Sequence, residues 1–291
     1  MPQKKRFGDR YDGRRVRKAH PMEIISPYLM KDRSGCQNLF KNEIDMSYID
    51  EYLLKKKEQG FKGISIMHVI IASYIRAVSQ YPGINRFISG QRIYKRDEII
   101  LTMTVKQEMS IDSPDTVLKL KFKPDATIDD VYYTFEKAIG EYRDNPNEAG
   151  IDDVMGVLSR FPGLFLRFIV GVLSFLDYFG IMPKSLIEVS PFHSSMYITS
   201  LGSLGIPAVY HHLYNFGNVP IFLAFGAKKR RNELGDDGSV VKKTYVDLTF
   251  VIDERICDGY YFASAYKYMR KLLKDPAVLD NKPEKIVQDI E

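Results

Sequence analysis

Residues 244–253 alternate apolar and polar side chains, with Val246, Leu248, Phe250 and Ile252 on one face, and the run halts at Asp253-Glu254-Arg255-Ile256-Cys257-Asp258-Gly259. From Gly259 the period changes: Phe262, Ala265, Tyr268, Met269 and Leu272 recur at helical spacing until Pro276. A strand period that gives way to a helix period across one short turn requires both apolar faces to share a core.

The same two periods alternate along the chain. Residues 39–45 read as a short strand, followed by a polar helix over 47–59 that stops at Gly60. Ser65 caps a second helix whose inner face carries Val69, Ile70, Ser73, Ala77 and Val78, ended by Tyr81-Pro82-Gly83. Residues 93–106 and 116–122 read as strands because β-branched and aliphatic types dominate them. Thr127 with Asp130 resembles a capping box with the shorter acid, ahead of a stripe of Ile128, Val131, Phe135, Ile139 and Tyr142. Residues 221–225 pair with 244–253 through a loop containing Gly235-Asp236-Asp237-Gly238. The expected class is α/β, a mixed sheet with flanking helices.

Charge is segregated. The first twenty residues hold eight basic side chains against Asp9 and Asp12, whereas the other 271 hold 34 basic and 35 acidic. The body is neutral, so no specific nucleic-acid partner is expected, and residues 1–37 read as a basic, partly disordered arm. Cys36 and Cys257 cannot form a disulfide framework or a cysteine zinc site. No apolar signal-type run follows the basic start, so a cytoplasmic location is expected. His193, His211, His212 and Glu254 lack metal-ligand spacing, and no metal site is expected. A G-x-S-x-G elbow, a dinucleotide glycine fingerprint and a Walker A motif are absent.

Residues 163–179 are the apolar outlier, interrupted among charged types only by Arg167 and Asp177. A span needs about 20 apolar residues, and a central Arg or Asp costs about 2.5–3.5 kcal/mol each on insertion. Crossing a bilayer is therefore not expected. Burial between the domain and a neighbouring subunit is the first reading, ahead of a lid over a greasy channel or a contact with a membrane surface.

Two stretches are dense enough in polar and small residues to form a site: 190–226, with three of the five histidines, and 253–259. The second carries D-x-R-x-x-D-G, preceded in the chain by Thr199-Ser200-Leu201-Gly202, and Tyr81-Pro82-Gly83-Ile84-Asn85 supplies a P-x-x-N turn. In these features, and weakly from about Asn38 onward, the chain resembles the catalytic domain of the acyltransferase component of 2-oxo-acid dehydrogenase complexes, a relative of chloramphenicol acetyltransferase. The resemblance implies a chloramphenicol acetyltransferase-like sandwich, assembled as a homotrimer or a multiple of three. It implies an active site in a channel between subunits, with coenzyme A or acyl-CoA as co-substrate.

In that family a histidine at the second motif position deprotonates the acceptor, and a Ser or Thr hydroxyl stabilises the oxyanion. Here Glu254 stands in the histidine's place. A solvated Glu, with a pKa of about 4.3, is some two units less basic than imidazole, worth about 3 kcal/mol of proton affinity. An ionised carboxylate also has no proton to give a leaving group. His211-His212 offers a displaced imidazole; strand alternation would turn only one ring toward a channel, and His193 is a weaker candidate. Thr199 and Ser200 are candidate oxyanion donors. The resemblance makes Asp258 the aspartate that holds a charged partner; with Gly259, which would allow the tight helix entry, and Arg255, it would support the site.

The family's glycine-led valine-proline strand is absent around residues 112–122, and no room precedes residue 38 for a lipoyl domain. No covalent lipoyl group is expected on this chain, and a lipoyl-bearing partner would act in trans. The expected organisation is the arm over 1–37, an acyltransferase-like domain over 38–276 with an apolar helical insertion at about 154–187, and a tail over 277–291. The expected function is CoA-dependent acyl transfer to a thiol or hydroxyl with an altered base. The alternative is a non-catalytic oligomeric scaffold or acyl-CoA binding relative.

Overall fold

The computed structural model describes residues 5–106, 115–144, 156 and 159–290. Its centre is a six-stranded mixed sheet in the order β2-β9-β8-β7-β5-β6, built from β2 (Gln37–Asp45), β5 (Ile99–Lys106), β6 (Asp115–Phe122), β7 (Met196–Ser200), β8 (Ile221–Leu234) and β9 (Val240–Asp253). β7 runs parallel to both β5 and β8, while the other neighbours are antiparallel. A second sheet, β1-β4-β3, comprises β1 (Gly13–Arg15), β3 (Arg86–Ser89) and β4 (Arg92–Arg96).

The alternation in β9 sorts its side chains as expected. Val246, Leu248, Phe250 and Ile252 join Ile221, Leu223 and Phe225 of β8 in the main core. Helices α2 (Ser47–Glu58), α3 (Ile66–Gln80), α4 (Ile128–Asp144) and α7 (Gly259–Lys274) contribute to that core. Phe40 of β2 stacks on Phe250 at 4.6 Å and meets the Tyr266 ring of α7 edge-on at 5.0 Å. Both expected caps form. Ser65 and His68 bond reciprocally at the start of α3, and the Thr127 amide donates to Asp130 Oδ2 at 2.8 Å before α4.

Elsewhere the structure departs from expectation. Residues 93–106 are two strands in different sheets, because the chain turns at Asp97-Glu98. The hairpin is longer than its apolar pattern: β8 and β9 extend past the core as a polar two-stranded ribbon. Residues 5–37 are not a solvated arm. They hold β1, α1 (Pro21–Leu29) and a deeply buried Arg10, because this arm's charges find opposite charges inside the body. The tail also straps down: the Val287 amide donates to Ser79 O at 2.8 Å, and Asp289 takes both arms of Arg86.

The apolar segment forms α5 (Gly163–Tyr178), followed by α6 (Lys184–Val189). Within this chain α5 is not buried; Asp177 is its one buried residue. Residues 154–155 and 157–158 of the expected insertion lie outside the described residues. No described helix is long and apolar enough to cross a membrane.

Candidate active site

The 253–259 turn is organised by Asp253 and Arg255, at the end of β9. The Asp253 carboxylate is fully buried and accepts from Arg255 Nε at 2.8 Å and Nη2 at 2.7 Å. Arg33 places its Nε 3.4 Å from the same carboxylate, so two guanidinium groups share one acid. Burial pulls Arg33 below its ordinary pKa, and Arg255 nearby adds to this. Burial opposes the charge on Arg255 as well, but Asp253 outweighs it and holds the group above its usual value. Arg255 Nη1 also donates to Met30 O at 2.8 Å, tying the turn to the end of α1.

Glu254 lies between buried neighbours but is itself exposed, and its amide donates to Cys36 O at 3.0 Å. Two expected supporting roles are corrected. Asp258 is an exposed N-cap that accepts from the Tyr261 amide at 2.9 Å, and the charged partner of the motif belongs to Asp253 instead. Gly259 has no positive φ, and a Cβ there would meet open space, so entry into α7 does not require glycine.

Thr199 and Ser200 close β7, both half-buried, and the Leu201 amide donates to Phe225 O at 2.8 Å. The loop that follows lies over the second face of the sheet. Thr249 Oγ1 donates to Val209 O at 2.6 Å, and Gly226 permits the close pass because a Cβ there would collide with the Ala208 nitrogen. His211-His212 sits in this loop rather than in a strand, yet the two rings still divide. His211 stacks on Phe222 at 4.4 Å, while His212 is exposed. Burial lowers the His211 pKa, with His212 adding to it, and Nε2 is buried without a hydrogen-bond partner. Among the described residues neither imidazole hydrogen-bonds Thr199 or Ser200.

The two halves stand apart in one chain. Ser200 is level with Phe225 of β8, whereas the Asp253 amide donates to Pro220 O, just before β8 begins. Five residues of strand separate these levels, about 17 Å.

A third polar centre was not among the expected sites. Arg10 donates to Asp12 at 2.9 Å, to Ser89 Oγ at 2.8 Å and to Asp177 Oδ1 at 2.6 Å. Asn218 Nδ2 donates to Asp12 Oδ2 at 2.7 Å, and Arg96 reaches Asn218 Oδ1 at 2.8 Å. His193, fully buried, spans Ser190 Oγ at 2.7 Å and Asp177 Oδ1 at 3.2 Å. That serine–histidine–aspartate chain has the connectivity of a hydrolytic relay. Its ring is sealed, however, and its acid is committed to Arg10, so it moors α5 to the body. Burial would raise Asp12, but Arg10 and Arg96 override it and hold the carboxyl far below the usual range. Burial pushes His193 down, against the pull of Asp177.

Nearby, Lys119 donates to Ile187 O at 2.7 Å and Ser190 O at 3.0 Å, and burial, then Arg96, lowers its amine to about 7. A cavity of about 740 Å³ lies between β4, Arg14, Pro82 and the tail at Asp289, and touches none of the predicted site residues. A cleft of about 200 Å³ does reach Arg255, bounded by Arg33, Asp177, Tyr178 and Asn215.

No family model and no curated protein matches the chain. Solved structures do. A probable dihydrolipoamide acetyltransferase from Listeria monocytogenes 4b F2365 superposes with a TM-score of 0.54 at 14% identity, over 94% of this chain and 99% of that one. A truncated catalytic core of the 2-oxoacid dehydrogenase multienzyme complex from Thermoplasma acidophilum gives 0.53 at 14%, over 90% and 98%. A chloramphenicol acetyltransferase gives 0.50 at 12%, over 88% and 97%. The fold is thus that of the chloramphenicol acetyltransferase-like acyltransferase cores. What is shared at these identities is the architecture.

Proposed function

We propose that the chain is a CoA-dependent acyltransferase that moves an acyl group from a CoA thioester to a thiol or hydroxyl, working as a homotrimer or a multiple of three. The reading is supported above all by the separation of its two half-sites, about 17 Å apart along β8 at the levels of Pro220 and Phe225, on an acyltransferase-type fold. Only a second copy could bring the Thr199–Gly202 loop against the Asp253–Arg255 turn. The acceptor gives its proton to a base, its S or O attacks the thioester carbon, and the oxyanion is held by Thr199 or Ser200. The C–S bond then breaks, and the CoA thiolate leaves and takes up a proton.

His211 is the first candidate base of the adjacent pair, since its Nε2 has no hydrogen-bond partner in this chain. His211→Ala should cost on the order of 10²-fold in turnover and His212→Ala little. Equal small effects would return both residues to a purely structural role. Glu254 of a neighbouring copy is the other candidate base, with Asp253 and Arg255 shaping its turn. A lipoyl group, if one is used, would come from another chain in trans, and the setting is cytoplasmic.

A non-catalytic scaffold or acyl-CoA binding role is the second reading, favoured by the exposed Glu254 in the family's histidine position. Calorimetric titration with coenzyme A and acetyl-CoA, followed by a thiol-release assay, separates the two. Binding with release that Glu254→Gln or His211→Ala abolishes supports the enzyme. Binding without release selects the scaffold, and no binding removes both. Native mass spectrometry at micromolar concentration should show a trimer or a multiple of it. A clean monomer would remove the shared site.

A further inference from the structure

Helix α5 is apolar around its circumference except for a narrow exposed stripe of Arg167, Gly171, Ser174 and Tyr178. Leu166, Ile169, Leu173 and Leu176 are half-buried toward the body, while Leu164, Phe168, Val172, Phe175 and Phe179 form an outer stripe that stands open, Leu164 at 84% and Phe168 at 66% exposure. A helix of this kind must be covered by protein or by lipid. α1 extends the same surface. Gln91 joins the two helices, accepting from Tyr178 Oη at 2.8 Å and donating to Pro27 O at 3.4 Å, and α1 exposes Met22, Ile25 and Leu29.

Charge indicates which cover fits. The single acid of α5, Asp177, turns inward onto Arg10, so Arg167 is the one exposed charge on the helix. Arg160 precedes α5 and Lys184 follows it; α1 carries the half-buried Glu23, and Lys31 lies at its end, beside the exposed Asp32. Glu188 is engaged by Tyr11 at 2.9 Å and lies 3.6 Å from Lys184. A second copy seated here would have to bring an acid from elsewhere on its surface to Arg167, because the one acid of α5 is turned inward. The outer stripe also has no side-chain hydrogen-bonding group, whereas protein interfaces carry about one bond per 100–200 Å². We propose that α5 and α1 rest flat on an anionic lipid surface, with the Leu–Phe stripe among acyl chains and Arg160 and Arg167 at the headgroups. Sixteen residues make about 24 Å of helix, enough to lie in the interface and too short to span about 30 Å of hydrocarbon.

Cosedimentation of the full chain with phosphatidylcholine vesicles, alone or enriched in phosphatidylglycerol, tests this. The bound fraction should rise with the anionic lipid and fall with salt. Phe168→Ser with Phe175→Ser should weaken partitioning by at least about tenfold, since each buried Phe contributes about 1.5–3 kcal/mol. Because both rings are exposed, the melting temperature and native mass of the double variant should match those of the parent protein. Arg167→Glu should weaken binding to the anionic vesicles only. Failure of the parent protein to bind either vesicle would overturn the proposal, as would unchanged binding by the double variant. A fall in native mass on losing the two rings would assign the face to another copy of the chain instead.

Discussion

Replacing Arg10 with Ala is expected to destabilise the protein by about 3–5 kcal/mol, the range for removing one partner of a buried ion pair. At 2% exposure, Arg10 donates to both Asp12 and Asp177 as well as Ser89, and its loss leaves two carboxylates sealed from water with a single guanidinium, Arg96, in their cluster. The midpoint of thermal unfolding should fall by roughly 10 °C. Arg10→Ala combined with Asp177→Asn should recover part of the loss, because the second change removes one stranded charge, and a double-mutant cycle would measure that coupling. Arg10→Lys should fall between the two, keeping the charge but not the fork. A change below about 1 kcal/mol for Arg10→Ala would show that the cluster is not a mooring.

Stability should also decline steeply between neutral pH and pH 4, with the buried His68 a principal contributor. Burial pulls His68 down to about 4, and its Nε2 faces the core without a partner. The unfolded ring titrates near 6.5, so the unfolded state takes up a proton that the folded state refuses. The associated stability is fully present above about pH 6.5 and is lost as pH falls toward 4. A depression of roughly 2.5 units corresponds to about 3 kcal/mol. His193 and His211, also depressed by burial, add to the decline in the same direction. Asp12 extends it below pH 4, where a carboxylate held far below its usual range must finally be protonated. Urea titrations at pH 7 and pH 4.5 should show the drop, and His68→Gln should flatten it. A profile that stays level over that interval would mean that the buried rings take up protons while folded.

What could be read from the chain beforehand was what is local. The β9 alternation, the caps at Ser65 and Thr127, and the helix after Asp258 each declare themselves within a few residues, since propensity, period and capping act over one or two turns. The break between β4 and β5 was hidden because Ile93 and Tyr94 of the first half and the β-branched run of the second suit a strand alike, and the turn between them is only Asp97-Glu98. β7 was not anticipated as a strand; at five residues between β5 and β8 it takes its pairing from neighbours distant in sequence. The site was legible in part. Asp253 and Arg255 do organise the motif turn, but the roles expected of Asp258 and Gly259 passed to a cap and to open space. The arm misled most, because a run of charges looks the same whether its partners are water or buried acids. A lone aspartate in an otherwise greasy helix was the available clue, since such a group needs a partner somewhere.

The span of that ionic cluster bears on the order in which the protein is made. Arg10 meets Asp177 across 167 positions, and Asp12 meets Asn218 across 206. At about 5–20 residues added per second, the arm waits on the order of 10–40 s at the ribosome before its last partner is polymerised. Through that interval its guanidinium groups stay hydrated, and α5, lacking its mooring, has to be shielded by other means. The arm therefore docks only after Asn218 has been made, with a loop-closure entropy among the largest in the chain.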